Sequence, residues 1–176
     1  MTPISRIAIA RGALGALAAL GLVAGCASFD GRGLTPGKST RAEVEATMGR
    51  PAEVLARPNG DTRLYFSRLP FGREIYVATV GSDGVLRGIE PTLTRRNIAG
   101  VKEGMKAAEV RDRLGPPYRS VYMKLIDRDV WEYPWRIVED KRILWVQFSR
   151  DGIVQEVIEM HDFEADPPSG PPGAKP

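Results

Sequence analysis

The chain has 176 residues, with 25 Lys and Arg against 22 Asp and Glu, and a formal net charge of +3. It contains one Cys and one His, which excludes an internal disulfide bond and a zinc site built from several such ligands. The sequence shows no P-loop and no dinucleotide-binding glycine motif, so nothing in it supports nucleotide chemistry.

The first 25 residues have the features of a secretory signal peptide. Arg6 and Arg11 make the start basic, and residues 13–24 form an uncharged apolar run. Twelve apolar residues are too few for a helix that spans a bilayer, which needs about twenty. A basic start, a short apolar segment and small residues at its end therefore predict a signal peptide at residues 1–25.

The single Cys directly follows this apolar segment. The segment VAGC at 23–26 resembles the bacterial lipobox, which implies cleavage before Cys26 and acyl chains on its thiol. We therefore expect a lipidated tether at 26–33 that anchors the protein in a membrane. An ordinary signal peptide with an incidental Cys is the alternative.

Cleavage changes the charge and indicates a location. Loss of Arg6 and Arg11 leaves 25 − 2 = 23 basic residues against 22 acidic ones, so the basic precursor gives no reason to expect a nucleic-acid partner. The next residues, Ala27 and Ser28, lack the Asp that often retains such lipoproteins in the inner membrane. The lipobox resemblance therefore implies the outer membrane, facing the periplasm.

A short helix followed by strands is predicted after the tether. Thr40 and Glu43 match a capping box, in which the hydroxyl and the carboxylate accept the free N–H groups of a helix start. Val44 and Met48 lie on one face of this helix, and Gly49 ends it. β-Branched and aromatic residues predict strands at 63–67, 74–80 and 85–90, with a turn at 82–84.

The same pattern occurs a second time. AEVEATMGRP at 42–51 recurs as AEVRDRLGPP at 108–117, a spacing of 66 residues. From Tyr65 and Tyr133 onward the spacing is 68, and we expect a hairpin loop before these tyrosines to absorb both extra residues. Lys106 replaces the capping hydroxyl, so the second helix should have a weaker start. Strands are predicted at 130–135, 142–148 and 153–160.

These repeats define the predicted domain organisation. We expect one unit at 34–93, a second at 94–163, and a disordered tail rich in Pro and Gly at 164–176. The linker around 95–96 is predicted to be a turn. Each unit should be a short helical segment packed on an antiparallel sheet of three to four strands, so the fold class is α+β with two tandem repeats.

The order of these residues resembles the SmpA/OmlA domain of the BamE family, small lipoproteins of the outer-membrane β-barrel assembly machine. The match is carried in the second unit by Gly104, Met105, Val110, Leu114, Gly115, Pro117, Phe148, Asp151, Gly152 and Val154, and in the first by Gly37, Val44, Gly49, Pro51, Asp83 and Gly84. The machine's subunit has one such domain, whereas this chain has two. The tandem arrangement is similar to β-lactamase inhibitory protein, in which two such units share a curved sheet.

The sequence gives little support to catalysis. His161 is expected at the surface, at the end of the last strand, and the single thiol is expected to carry lipid. Two carboxylate pairs, at 127 and 129 and at 139 and 140, fall at predicted hairpin loops, where solvated charge is the ordinary state. We therefore predict no catalytic residues, no metal and no cofactor.

Both predicted sheets have an apolar row on the face away from the helices, where a solvent-exposed sheet would be polar. Alternation assigns Leu144, Val146 and Phe148 to the helix side of the second sheet, and Tyr76, Ala78 and Val80 to the helix side of the first. The opposite rows are Ile143, Trp145 and Gln147, and Ile75, Val77 and Thr79. We interpret them as partner-binding candidates, with Trp145 as the best anchor. Cover by the linker or by the chain's own tail is the alternative.

Binding is therefore the predicted activity. The leading hypothesis is an accessory or scaffold protein in outer-membrane β-barrel assembly or envelope integrity, whose partner is the barrel-assembly machinery or a periplasmic protein. The alternative is an inhibitor-like module that captures one periplasmic enzyme on its concave sheet.

Overall fold

The computed structural model describes residues 30–165, which form two four-stranded antiparallel sheets and three short helices, an α+β fold. The first half contains α1 (Arg41–Met48), β1 (Glu53–Ala56), β2 (Thr62–Ser67), β3 (Ile75–Val80) and β4 (Leu86–Pro91). The second half contains α2 (Arg95–Ala99), α3 (Ala107–Leu114), β5 (Arg119–Met123), β6 (Arg128–Ile137), β7 (Asp140–Phe148) and β8 (Val154–His161). Among these residues no helix has the length and apolarity needed to cross a membrane.

Local hydrogen bonds set where the two longer helices begin. The Thr40 N–H donates to the Glu43 carboxylate at 2.7 Å, and Thr40 Oγ1 accepts from the Glu43 N–H at 3.3 Å, which confirms the predicted capping box. At α3 the Lys106 N–H donates to the Glu109 carboxylate at 2.7 Å, but no side-chain oxygen caps the first turn. The second helix thus has the weaker start that the sequence predicts.

The strands pair in chain order in both sheets. Sheet one is β1-β2-β3-β4 and sheet two is β5-β6-β7-β8, and every neighbouring pair is antiparallel. The six predicted strands are confirmed to within two residues at each end. A single sheet shared by both halves, which the resemblance to β-lactamase inhibitory protein implied, is wrong because the strands form two separate sheets.

Three elements of the structure are not predicted by the sequence pattern. Strand β1 has only four residues, and strand β5 is exposed along most of its length, so neither shows the apolar alternation of a half-buried strand. The linker contains α2, whereas the sequence predicts a turn there. Thr94 caps this helix by accepting the Asn97 N–H at 3.2 Å.

Two buried clusters of apolar side chains hold these elements together. Val44 and Met48 of α1 share the smaller cluster with residues of sheet one, namely Leu64, Phe66, Ala78, Val80 and Leu86. Val110 and Leu114 of α3 belong to the larger cluster, together with sheet-two residues that include Tyr133, Trp135, Leu144, Val146 and Phe148. The larger cluster also contains Tyr65, Ile75 and Val77 of sheet one, so it joins the two halves of the chain.

Strand β3 corresponds to β7 at a spacing of 68 residues. A β-bulge lies between Thr79 and Val80 in sheet one, and another lies between Gln147 and Phe148 in sheet two, so 147 − 79 = 68. The strands that follow are paired in the same way in both sheets, because Val80 is opposite Leu86 and Phe148 is opposite Val154. The 68-residue spacing predicted for this part of the chain is confirmed.

Strand β2 corresponds to β6 at a different spacing. Val77 lies opposite Tyr65, and its counterpart Trp145 lies opposite Glu132, so 132 − 65 = 67. The alignment of Tyr65 with Tyr133 is therefore wrong by one residue. A one-residue slip moves a side chain to the other face of a sheet, so the two tyrosines are not equivalent.

Strand β1 corresponds to β5 at a third spacing. Glu53 lies opposite Tyr65, and Arg119 lies opposite Glu132, so 119 − 53 = 66, as for the two helices. Each of the first two hairpins of the second half therefore contains one extra residue. The sequence predicted both extra residues in a single loop.

Candidate functional site

The chain itself covers the apolar row of sheet one. Ile75 and Val77 are fully buried in the larger cluster, where they meet α3 and the linker residues Leu93 and Ile98, and Thr79 is half-buried. Neither Ile75 nor Val77 has any surface left for a partner. Of the two explanations that the sequence left open, cover by the chain itself accounts for this row.

Asp112 of α3 provides several polar contacts to sheet one and to Arg57 beside it. Its C=O accepts hydrogen bonds from the Tyr65 hydroxyl at 2.7 Å and from Arg63 Nη1 at 2.8 Å. Its carboxylate forms ion pairs with Arg57 and Arg63, and Arg63 also lies 3.6 Å from Glu90. Burial raises the pKa of Tyr65 to about 12, so its hydroxyl remains a donor at neutral pH.

The end of α3 also lies close to sheet one. Arg111 Nε is 2.5 Å from Glu53 Oε1. Gly115 follows the helix with φ of 85°, and a Cβ on it would lie 2.8 Å from the Tyr65 ring and 3.1 Å from Ile75. Only glycine combines this φ with so close an approach, so the backbone at the end of α3 is in direct contact with the sheet.

The corresponding face of sheet two keeps exposed surface. Ile143 and Trp145 are only half-buried, and Val121 on the edge strand β5 is 45% exposed. Gln147 is nearly buried and accepts a hydrogen bond from Arg128 at 2.8 Å. The structure therefore brings the three predicted residues of this row onto one face, with Ile143 and Trp145 as its accessible members.

A buried carboxylate supports Trp145. Glu132 is 5% exposed, and its Oε2 accepts hydrogen bonds from Trp145 Nε1 at 2.8 Å and from Arg119 Nη2 at 3.0 Å. The hydrogen bond and the charge of Glu132 raise the pKa of Arg119 above its ordinary value. The indole ring is thereby held in one orientation, beside Arg119, whose side chain is 57% exposed.

A groove of about 590 Å³ runs beside Trp145. Ile143 and Met160 line it from sheet two, Phe71 lines it from the loop between β2 and β3, and residues 161–165 line it from the end of the described chain. Phe71 is 95% exposed. The groove therefore combines large apolar side chains with an opening to solvent, which is the character of a protein-binding surface.

An ion pair between the two halves of the chain lies at this groove. Arg73 donates a hydrogen bond to Asp162 and another to the C=O of Arg142, the latter at 3.2 Å. Burial acts to raise the pKa of Asp162, but the Arg73 guanidinium and the N–H groups of Glu164 and Ala165 outweigh it, so the pKa lies below its ordinary value. The charged pair persists at neutral pH and fixes this wall of the groove.

The remaining candidate residues have structural partners or lie elsewhere. Cys26 lies outside the described residues. His161 is the last residue of β8, half-buried, with Nδ1 at 3.0 Å from Asp140 Oδ1. Hydrogen bonds from Arg150 and Tyr122 lower the pKa of Asp127. Within residues 30–165 no three His, Cys, Asp or Glu residues are grouped as a metal site would require.

The sequence pattern does not predict the polar part of this face. Arg119 lies on β5, which has no strand pattern in the sequence, and the aromatic run around Glu132 shows no clear alternation that would assign this residue to a face. One signal was available, because Glu132 is a lone charge between Trp131 and Tyr133. A charge in the middle of an aromatic strand needs a partner, and Arg119 on the neighbouring strand provides it.

Comparisons with known proteins leave the family open. No protein-family model matches the chain, and no curated protein matches it. A solved structure that is similar in part is a DUF4309 family protein, YjgB, from Bacillus subtilis, with 20% sequence identity. The match covers 74% of this chain and 84% of that one with a TM-score of 0.30, which is too low to support an argument about fold or function.

Proposed function

We propose that this chain is a non-catalytic lipoprotein of the outer membrane that faces the periplasm. It acts there as an accessory or scaffold protein in β-barrel assembly or in envelope integrity. The lipobox-like sequence at 23–26 supports the anchor. The SmpA/OmlA-like residues support two tandem units of this type, at 34–93 and 94–163, as does the pair-by-pair correspondence of the two sheets.

The observation that carries this proposal is the accessible face of sheet two. Its counterpart on sheet one is buried beneath α3, whereas Trp145 and Ile143 keep exposed surface beside the groove. An oriented Trp with exposed surface is among the side chains most often found to dominate protein binding. One member of each carboxylate pair considered for catalysis is bonded to a cation, Asp127 to Arg150 and Asp140 to Arg142, which supports binding over chemistry.

The anchor is tested by Cys26→Ser. We expect this variant to fold as before but to be released from the membrane, because the acyl chains supply the membrane affinity. Fractionation of cells into soluble, inner-membrane and outer-membrane material provides the measurement. Continued processing of the Ser variant and its recovery in the outer membrane would show that Cys26 is not the anchor.

The binding face is tested by Trp145→Ala, with purified subunits of the barrel-assembly machine in detergent as the probe. We expect affinity to fall by about thirtyfold or more, as at a dominant interface residue. Thermal stability should change little, because Arg119 still satisfies Glu132. Leu125→Ala is the matched control, since Leu125 is fully exposed on the loop between β5 and β6. Equal affinity of the wild type and the Trp145 variant would refute this use of the face.

A second candidate function is an inhibitor-like module that captures one periplasmic enzyme. The groove beside Trp145 favours it, because the exposed Phe71 and Phe163 at its margin provide anchors of the kind that fill a pocket on a partner. Purification of the complex from gently solubilised membranes separates the two functions. Barrel-assembly subunits would support the first function, and a single periplasmic enzyme in stoichiometric amount would support the second.

A further inference from the structure

The outer side of α1 resembles the side of α3 that contacts sheet one, because the glycine that follows each helix has the same backbone conformation. Gly49 follows α1 with φ of 86°, as Gly115 follows α3 with φ of 85°. No atom lies within 4 Å of the position that a Cβ on Gly49 would take, whereas Gly115 is in contact with sheet one. Ala42 and Ala46 on α1 are exposed. The α1 helix therefore has a small-residue face that is free to approach a sheet closely.

The contact between α3 and sheet one within a chain is called the internal contact. It contains an ion pair whose charges are reversed at the matching positions of α1 and sheet two. Arg111 of α3 pairs with Glu53 of sheet one. The matching residue of α1 is Glu45, since 111 − 66 = 45, and the matching residue of sheet two is Arg119, since 53 + 66 = 119. A contact between α1 and sheet two in the same orientation would thus place a carboxylate beside a guanidinium.

The charged cluster of the internal contact is replaced by apolar side chains at every matching position. The cluster consists of Asp112 on α3 with Arg57, Arg63 and Glu90 on sheet one. The spacings of 66, 67 and 68 residues assign their counterparts as Ala46 on α1 with Met123, Val130 and Ile158 on sheet two. The helix and the sheet surface therefore match in both cases. In the internal contact both carry charged side chains, and on α1 and sheet two both carry apolar side chains.

We propose that the outer face of sheet two binds α1 of a second copy of this chain, in the orientation in which α3 lies on sheet one. This names a partner for the accessible face and rests on the proposed function of that face. In the single chain Glu45 forms an exposed ion pair with Arg41 at 2.7 Å, which it exchanges for Arg119 of the second copy. One hydrogen bond of the internal contact has no counterpart. The Tyr65 hydroxyl donates to the Asp112 C=O, but the residue at the matching position of sheet two is Glu132, whose carboxylate cannot donate.

This contact is head to tail, because each copy offers α1 at one end and sheet two at the other. Such heterologous contacts form a closed ring when the rotation between neighbours closes, and an open row of molecules when it does not. The tether at 26–33 precedes α1, so each copy in a row would be held to the membrane close to its contact with the next copy. A row of lipid-anchored copies would provide the scaffold that the proposed function calls for.

The test uses two charge reversals, Glu45→Arg and Arg119→Glu, in the full-length protein in a mild detergent. Sedimentation velocity over a wide range of concentration measures association. We expect each variant alone to associate about tenfold or more weakly than the wild type, because it places like charges together. An equimolar mixture of the two variants should associate like the wild type, since every contact between unlike copies then joins opposite charges.

A second pair of variants separates association from folding. Ala46→Arg puts a large charge on an exposed position of α1 that would face Val130 and Met123 of the second copy, and it should also weaken association about tenfold or more. Lys38→Glu, on exposed chain before α1, is the control and should associate like the wild type. Thermal unfolding of all four variants checks that each is folded, and circular dichroism provides the signal.

Three results would overturn the inference. The first is a wild type that stays monomeric at every concentration. The second is association of each single charge reversal that equals that of the wild type, and the third is an equimolar mixture that associates as weakly as either variant alone. A monomeric wild type whose Trp fluorescence changes when residues 166–176 are deleted, with no such change in Trp145→Phe, would show that the chain's own tail covers the face instead. A monomeric wild type that binds barrel-assembly subunits through Trp145 overturns the self-contact and leaves the proposed function intact.

Discussion

Tyr65 shows how one side chain joins the two halves of the molecule. It is part of sheet one, yet it lies in the buried cluster of sheet two and donates a hydrogen bond to Asp112 of α3 at 2.7 Å. Its position in the pairing register corresponds to Glu132, which is on the accessible face of sheet two. At this position sheet one, which α3 covers, therefore has the hydroxyl donor of Tyr65. Sheet two, whose face is accessible, has the carboxylate of Glu132.

The contribution of Tyr65 can be measured by Tyr65→Phe. We expect this variant to lose about 1 kcal/mol of stability at pH 7, because the hydrogen bond is removed while Arg63 still satisfies the Asp112 C=O. The folded-state pKa of Tyr65 is raised to about 12, so wild-type stability falls as the pH rises from 10 toward 12. The difference between the two proteins should therefore shrink over that range.

Urea denaturation at pH 7 and near pH 11 provides the measurement. Tyr118→Phe is the control, because Tyr118 is 46% exposed. It should have little effect at either pH. An unchanged difference between the wild type and Tyr65→Phe across this pH range would contradict the assignment of the shifted pKa to Tyr65.

At the scale of the element, the ends of α1 and α3 have the same conformation in different surroundings. Gly49 and Gly115 have nearly equal φ and ψ, in a region that is essentially restricted to glycine. Gly115 is in contact with Tyr65 and Ile75, whereas Gly49 has no neighbour within 4 Å of where a Cβ would be. Alanine at either position would therefore cause the same backbone strain, but only alanine at 115 would also overlap with neighbouring atoms.

Alanine at each glycine tests this difference. Both variants should lose about 1–3 kcal/mol from backbone strain. Gly115→Ala should lose a further 1–3 kcal/mol or so, because its Cβ would overlap the Tyr65 ring. Chemical denaturation of both variants gives the two values, with Gly49→Ala as the internal control. Equal losses would mean that α3 does not lie against sheet one as closely as described.

At the scale of the whole molecule, the two sheets are separate but share a core. The larger cluster contains α3, most of the buried side chains of sheet two, and three residues of sheet one. The ion pairs of Arg111 with Glu53 and of Arg73 with Asp162 also join the halves. Neither half can therefore unfold without exposing apolar surface of the other.

Val110→Asp tests whether the halves unfold as one unit. The charge would lie at a fully buried position of α3, which is strongly destabilising, and we expect both sheets to lose stability together. All three Trp residues of the chain lie in sheet two, so their fluorescence reports that half, while circular dichroism reports both. The two signals should give coincident thermal transitions in the wild type and in the variant.

Val44→Asp is the matched variant in α1, since Val44 is equally buried in the smaller cluster. It should also lower the midpoint seen by Trp fluorescence, although no Trp lies near the change. Two separate transitions, with the fluorescence of sheet two surviving the loss of sheet one, would refute the shared core.

Much of the fold follows from local patterns. The capping box at Thr40, the six longer strands and the alternation of faces in β3 and β7 could all be predicted, because each depends on residues close together in the chain. The residue-by-residue correspondence between β2 and β6 could not be predicted. The matching tyrosines suggest an alignment that the strand pairing in the two sheets shows to be wrong by one residue. The short edge strands β1 and β5 carry too little apolar pattern to be found.

The candidate face could be predicted only in part. Alternation placed Ile75 with Val77, and Ile143 with Trp145, on the faces away from the helices of their own units, because side-chain direction along a strand is a local property. Nothing local distinguishes the two rows. Only the tertiary structure decides that α3 covers the row of sheet one and that the row of sheet two keeps exposed surface. That decision depends on which element from a distant part of the chain comes to lie against each face.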